Sequence, residues 1–507
     1  MTSARWTRFH GWRWRDWFVR AGISIGAVLL ALTAAYAFTG PSRVVSIALA
    51  IGVPLTGVWL QLRWTDNIET RIAKRVGRQR MKRMRAYTKD FPGYRLVDVF
   101  RATDALCRQS GDPVVIESHH EHEDLNSLLH AKAGRRGLRR VRGASRLAWP
   151  IGPGEEDYFP VDCFWVTQHV DDGAADWLVF RVRYLPYADR AVLEAASENT
   201  VKVRACVDEI IEASTRGSIY RHRMLEVSFE PGVKDEYGEV EQTERFHVAF
   251  KAEERVEDAD IILDPQVQST LQRNVLDLYL HRDRLKAHQV PVRRGVLFYG
   301  PPGTGKTFAC RYLCGRLPHA TKLIVAGNAL LRVKSVFNLA RLLQPSLIVL
   351  EDVDLVFSAR EINLYSSVLG ELLDQMDGLR PYEDVSVILT TNAIDRLETA
   401  IRDRPGRISQ LVHFGAPSDE LRRRYLARYL QPHLTTTLDL DDLARASHGA
   451  TQAFLKEWVY RSVQVALERV PDGGPVLYLT NDDFHVAFEE MRRFSQGTTG
   501  RIIGFHD

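Results

Sequence analysis

Cysteine is scarce in this chain of 507 residues: Cys107, Cys163, Cys206, Cys310 and Cys314 are the only five, an odd number with no C-x-x-C pair. That excludes a disulfide framework and a zinc module, and it fits domains kept in a reducing compartment. Cys310 and Cys314, four apart on an expected helix, read as core thiols. A dominant charge is also lacking, and a net charge of +4 is too small to imply a nucleic-acid partner. Residues 94–250 contain no repeat and no low-complexity segment. The tempting "SHHEHED" (118–124) lacks the spacing of a metalloprotease helix, because Asp124 and Asn126 stand where H-E-x-x-H needs its second histidine. It reads as a polar surface loop. "GRRGLRRVRGASR" (134–146) reads as a solvated basic loop, with contact to acidic cargo, lipid or nucleic acid as the alternatives.

What the chain does have begins with two long apolar runs, 18–38 and 44–62. Each is about 30 Å long as a helix, the thickness of a hydrocarbon core. Thr39-Gly40-Pro41-Ser42-Arg43 leaves room for a tight turn between them. Arg5, Arg8, Arg13 and Arg15 precede the pair, and Arg71, Lys74, Arg75, Arg78, Arg80, Lys82, Arg83 and Arg85 follow it. The positive-inside rule then puts both ends in the cytosol. A buried hairpin and a cleaved signal peptide at Ala35-Tyr36-Ala37 are the alternatives. The expectation is a transmembrane hairpin in the cytoplasmic membrane, with the lipid bilayer as partner. The basic stretch 71–85 reads as a solvated helix beside anionic headgroups. Beyond it, strand-like runs such as "YFPVDCFWVTQHV", "RMLEVSFE" and "FHVAF", with helical patterns near 97–109 and 198–215, predict an α+β middle domain.

"GVLFYGPPGTGKT" (295–307) is the strongest signal. A short apolar strand runs into Gly300, Pro301, Pro302, Gly303, Thr304, Gly305, Lys306 and Thr307, and a helical pattern follows from Phe308. Such glycines let backbone N–H groups surround phosphate oxygens. Lys306 would reach the β and γ phosphates and Thr307 would ligate Mg²⁺. About forty residues on, the buried strand "SLIVL" ends in Glu351-Asp352, the reverse of the usual Asp-Glu order. Glu351 takes the place that holds Mg²⁺ and Asp352 the place that polarises the attacking water. Reversal moves each carboxylate by one methylene but keeps both. The next buried strand, "VSVILTTN" (385–392), ends in Asn392, placed to orient that water. "RPGR" follows, offering Arg404 and Arg407 to neutralise γ-phosphate charge.

Together these residues resemble the AAA family of ring ATPases over roughly 255–490. The resemblance implies ATP and Mg²⁺ as ligands and an α/β P-loop module followed by a helical lid. "ASHGATQAFLKEWV" (446–459) is similar to the family's lid, which would put Gly449 near the adenosine. It also implies that Arg404 and Arg407 enter a neighbour's site in a homo-oligomeric ring, a hexamer or else a heptamer. The approach to the P-loop (261–306) and the spelling "LEDVD" are similar to the mitochondrial inner-membrane branch that exports the folded Rieske iron–sulfur protein. Threading members carry an aromatic–aliphatic–Gly loop before the acidic strand; 323–345 holds no such tripeptide.

The expected organisation is therefore a basic N-terminal segment (1–17), transmembrane hairpin (18–62), basic juxtamembrane linker (63–93), α+β middle domain (94–254), large ATPase subdomain (255–416), helical lid (417–495) and tail (496–507). The expected activity is ATP hydrolysis that remodels or translocates an unknown protein substrate at the membrane. The alternative is a nucleotide-gated sensor or scaffold with slow turnover. Nucleic acid, as in a phage-sensing role, enters only through the 134–146 loop.

Overall fold

In the computed structural model of the chain, the residues described are 68–118, 123–130, 145–171, 174–230, 233–234, 240–242, 245–254, 256–354, 362–381, 383–395, 408–430, 438–469 and 478–499. The expected hairpin 18–62 lies outside them, as do 119–122 and most of the 134–146 loop. Among the described residues no helix is long and apolar enough to cross a membrane.

Sixteen strands are described: β1 (Arg85–Pro92), β2 (Val114–Ser118), β3 (Arg146–Gly152), β4 (Glu155–Pro160), β5 (Asp162–Asp171), β6 (Ala174–Leu185), β7 (Arg190–Ser197), β8 (Met224–Glu230), β9 (Val233–Lys234), β10 (Val240–Gln242), β11 (Arg245–Phe250), β12 (Arg294–Tyr299), β13 (Thr321–Val325), β14 (Ser346–Leu350), β15 (Val385–Thr391) and β16 (Gln410–His413). Two sheets hold most of them. The first is antiparallel, in the order β1-β7-β6-β5-β2. Alternation sends Trp165, Phe180 and Leu193 to one face, against helices Leu96–Gln109 and Thr200–Arg216. Phe164, Val166 and Val179 go to the other face, against helices Ile68–Val76 and Leu125–His130.

From residue 68 on, the expected juxtamembrane linker is therefore part of this domain. Ile68, Ile72, Val76 and Met81 are buried in its core. Arg83 pairs with Glu198 at 2.6 Å, and Arg75 lies over the Trp177 ring. Charge counting along 71–85 hid this, because the apolar residues sit at helical spacing between the basic ones. A buried ionic cluster sits inside the same sheet. Arg181 meets Asp162 at 2.8 Å and Glu194 at 3.2 Å, and Arg183 meets Glu194 at 3.3 Å. Glu194 also accepts from the Leu125 backbone N–H at 2.9 Å, which ties helix Leu125–His130 down.

The second sheet runs β11-β8-β13-β14-β15-β12-β16, parallel except for the terminal β11–β8 pair. Its central strands are apolar on both sides, as a doubly covered sheet requires. Leu323, Val325, Ile348, Leu350, Val387 and Leu389 face helices Val333–Leu342 and Ile362–Asp377. Ile324, Val349, Ile388 and Phe298 face helix Lys306–Gly315. Strands β8 and β11, expected in the middle domain, belong to this sheet instead: Leu225 pairs with Leu323 and Val227 with Val325. The boundary expected at 254/255 thus cuts a continuous core.

The chain passes between the sheets through 217–223, which is pinned at both ends. Asp98 accepts from the Ile219 N–H at 2.9 Å, while Arg221 donates to the carbonyls of Gln344 (2.7 Å) and Leu342 (3.3 Å). A separate helical lid follows β16, with helices Asp419–Leu430, Leu440–Ala446, Gln452–Arg469 and Asn481–Thr499 around Leu426, Leu455, Trp458 and Phe484. Trp458 donates its indole N–H to the Phe484 carbonyl at 2.8 Å.

Candidate nucleotide site

At the C-terminal ends of β12, β14 and β15, large subdomain and lid enclose a cleft of about 810 Å³. Open parallel sheets bind ligands at this edge, where backbone amides and helix N-termini converge. The loop after β12 turns sharply, with Gly300, Gly303 and Gly305 at φ of 144°, 80° and 91°, in the region that favours glycine. A Cβ on Gly303 would meet Ala453 at 2.9 Å, and one on Gly305 would collide with the Gln452 carboxamide. The lid rests directly on the loop here, and Ala453 N–H donates to the Gly303 carbonyl at 3.1 Å.

Of the loop residues, Pro302, Gly303, Gly305, Lys306, Thr307 and Phe308 line the cleft. Gly300, Pro301 and Thr304 shape the turn from beneath, with the Thr304 hydroxyl donating to the Pro301 carbonyl at 2.8 Å. Lys306 is buried and donates to the carbonyls of Gly300 (2.7 Å) and Pro301 (2.8 Å). Burial lowers its pKa, and the charges of Asp352 and Asp354 oppose that shift.

Glu351 and Asp352 follow β14 directly. Burial pushes the Glu351 carboxyl above its ordinary pKa, with the Asp352 charge adding to the rise and a hydrogen bond with Thr307 opposing it. A hydroxyl and a carboxylate joined in this way form a hard oxygen donor set, which fits Mg²⁺. Asp352 lines the cleft in the left-handed region, at φ 48°. The Asn392 side chain donates to its Oδ1 at 3.4 Å. Lys306, Thr307, Glu351, Asp352 and Asn392, drawn from three separate segments, are therefore brought together. Arg404 and Arg407 lie outside the described residues. Gly449 is at φ 79°, between two lid helices, and is not among the cleft-lining residues. Its neighbours along the chain, Gln452 and Ala453, are.

Sequence reading missed the lid side of the cleft. Tyr425, Tyr429 and Tyr460 line it, with the first two rings stacked at 6.0 Å. Arg428 pairs with Asp260 across the cleft wall. Tyr425 and Tyr429 are four apart on one helix, a spacing that shows a shared face but not what the face meets. No group of three or more His, Cys, Asp or Glu that could hold a metal ion is found among the described residues. The interval 323–345, expected to lack an aromatic pore loop, holds the end of β13, a 3₁₀ turn, Gly327–Arg332, and helix Val333–Leu342; in the turn Ala329 and Leu330 are buried and Arg332 lies over the Phe229 ring.

Residues 296–416 match the family model "ATPase family associated with various cellular activities (AAA)". The chain is 32% identical over 194 residues to an ATP-dependent zinc metalloprotease FtsH 2 of Thermoanaerobacter sp. (strain X514), covering 36% of this chain and 38% of that one. It is 31% identical over 242 residues to the 26S proteasome regulatory subunit 8 homolog of Schizosaccharomyces pombe, covering 44% and 57%. A proteasome-activating nucleotidase of Methanocaldococcus jannaschii is 30% identical over 246 residues, covering 45% and 55%. The chain thus spans between 38% and 57% of the length of these curated relatives. The loop, the acidic pair and the family match agree on one segment: residues 296–416 match the AAA ATPase model, which supports an ATP-hydrolysing enzyme.

Proposed function

We propose that this protein hydrolyses ATP in a homo-oligomeric ring and uses the cycle to remodel or move a protein at a membrane. The observation that carries the reading is the convergence of Lys306, Thr307, Asp352 and Asn392 on one cleft beneath a lid, with Glu351 behind it hydrogen-bonded to Thr307. The loop amides and the N-terminus of helix Lys306–Gly315 receive the phosphates. Lys306 exchanges its two carbonyl acceptors for β and γ phosphate oxygens. Thr307 and Glu351 would hold Mg²⁺, which would neutralise charge on those oxygens. Asp352 accepts a proton from the attacking water, and Asn392 orients that water. The base lies toward Tyr425 and Tyr429, whose rings offer a stacking face.

Arg404 and Arg407 complete the site of the neighbouring subunit, which makes the ring obligatory for fast turnover. The membrane hairpin (18–62) supplies the anchor and puts the ATPase on the cytosolic side. The likeness to the Rieske-exporting branch rests on motif spelling and suggests a folded cargo. The short turn at 327–332, which carries no aromatic residue, is consistent with that.

Mixing subunits tests the shared site. Arg404→Ala/Arg407→Ala chains and Asp352→Asn chains, each inactive alone, should regain turnover when co-assembled, because some interfaces then pair an intact acid with intact arginines. Mixtures as inactive as their components would remove the role in trans.

A further inference from the structure

The reversed acidic pair raises a geometric question that the cleft itself answers. Asp352 is the second residue past β14, after Leu350 and Glu351, and its backbone turns into the left-handed region at φ 48°. Thr390 holds that turn, and Asp354 holds the backbone of the facing Asn392. The Thr390 hydroxyl, fully buried at the end of β15, accepts the Asp352 backbone N–H at 2.9 Å. The Asp354 carboxylate, 9% exposed, reaches back the other way and accepts the Asn392 backbone N–H at 3.0 Å. The ends of β14 and β15 are thereby cross-linked twice, in opposite directions. The two side chains held by these links, Asp352 and Asn392, are the pair that meet at the cleft.

We propose that Thr390 and Asp354 are positioning residues for the hydrolytic water: Thr390 fixes the Asp352 backbone, and Asp354 fixes the Asn392 backbone, so that carboxylate and carboxamide face one point. This rests on the ATPase reading above. Neither residue lines the cleft, so neither touches substrate. Their loss should therefore act on turnover and not on nucleotide affinity. Asp354 also adds negative charge near Lys306, but a neutral acceptor at 354 keeps the hydrogen bond. The amide variant thus separates the hydrogen bond from the charge.

The test uses the full chain in detergent with Mg²⁺ and ATP, measuring kcat alongside the dissociation constant for ADP. Asp354→Ala and Thr390→Val should each lower kcat by about 10- to 100-fold, the scale of lost supporting hydrogen bonds around a site. ADP affinity should stay within about threefold, a loss confined to the transition state. Asp354→Asn and Thr390→Ser, which keep the acceptor, should recover turnover to within about threefold of the parent. The proposal is overturned if the alanine and valine variants turn over like the parent, if ADP binding falls in step with kcat, or if the conservative variants fall equally far. Parent turnover unchanged by Lys306→Ala would remove the ATPase reading itself, and this inference with it.

Discussion

At the scale of single residues, the order Glu351-Asp352 has a physical basis in the backbone. Left-handed φ is uncommon for residues with a Cβ, and aspartate is several-fold enriched there because its short polar side chain tolerates it. A glutamate at 352 would meet the same φ of 48° with a longer chain and would carry its carboxylate past Asn392. Asp352→Glu, although it restores the commoner acid at that place, should therefore slow hydrolysis by about tenfold or more, roughly the 1–2 kcal/mol that the left-handed region costs a poorly suited residue. A steady-state kcat equal to the parent's would contradict this. The loop residues and both acids were legible in the sequence because each lies in one contiguous stretch whose chemistry needs no partner to recognise. Thr390 and Asp354 were not. Asp354 stands inside the "LEDVD" stretch, yet no spacing reveals that its carboxylate turns toward the end of the neighbouring strand.

Secondary-structure elements were legible in kind and less so in allegiance. "RMLEVSFE" and "FHVAF" do form strands, β8 and β11, but period alone does not say which sheet a strand joins. β8 pairs in parallel with β13, and Leu225 and Val227 on one of its faces enter the same core as Leu323 and Val325, while Glu226 and Ser228 on the other face stay exposed. The first sheet carries a different burden in the Arg181–Asp162–Glu194 cluster. Burial makes each of these charges dependent on the others. Removing Arg181 alone, as Arg181→Ala, takes the guanidinium from buried Asp162 and leaves Glu194 with Arg183 as its ion-pair partner, and should cost about 3–5 kcal/mol, the range for breaking a buried pair. Thermal unfolding would report it as a large drop in midpoint, with helix Leu125–His130 loosening first because Glu194 holds its Leu125 N–H. A midpoint shift within error would contradict the assignment.

At the scale of the whole molecule, the first sheet and the ATPase sheet are joined by a pinned connector. Arg95 and Asp98 are buried and Tyr94 half-buried where it starts, and Arg221 at its far end grips the Leu342 and Gln344 carbonyls that precede β14. Burial pushes the Asp98 carboxyl up to about 6, against hydrogen bonds from Ser218 and Ile219 and the charges of Arg95 and Arg101. With an unfolded value of about 3.9, the native state binds the extra proton, so this group's stabilisation is full below about pH 4 and is lost as pH rises through about 6. Asp98→Asn should flatten that part of the stability–pH curve, which chemical denaturation at a series of pH values would read; an unchanged slope would contradict it. The central claim, however, is that the converged residues form a working hydrolytic site. The direct measurement is Mg²⁺-dependent ATP hydrolysis by the purified full chain, beside Lys306→Ala and Asp352→Asn. The account predicts turnover in the parent and its loss in both variants, with Asp352→Asn still binding ATP. Binding without hydrolysis in the parent, no faster than in the variants, would contradict it.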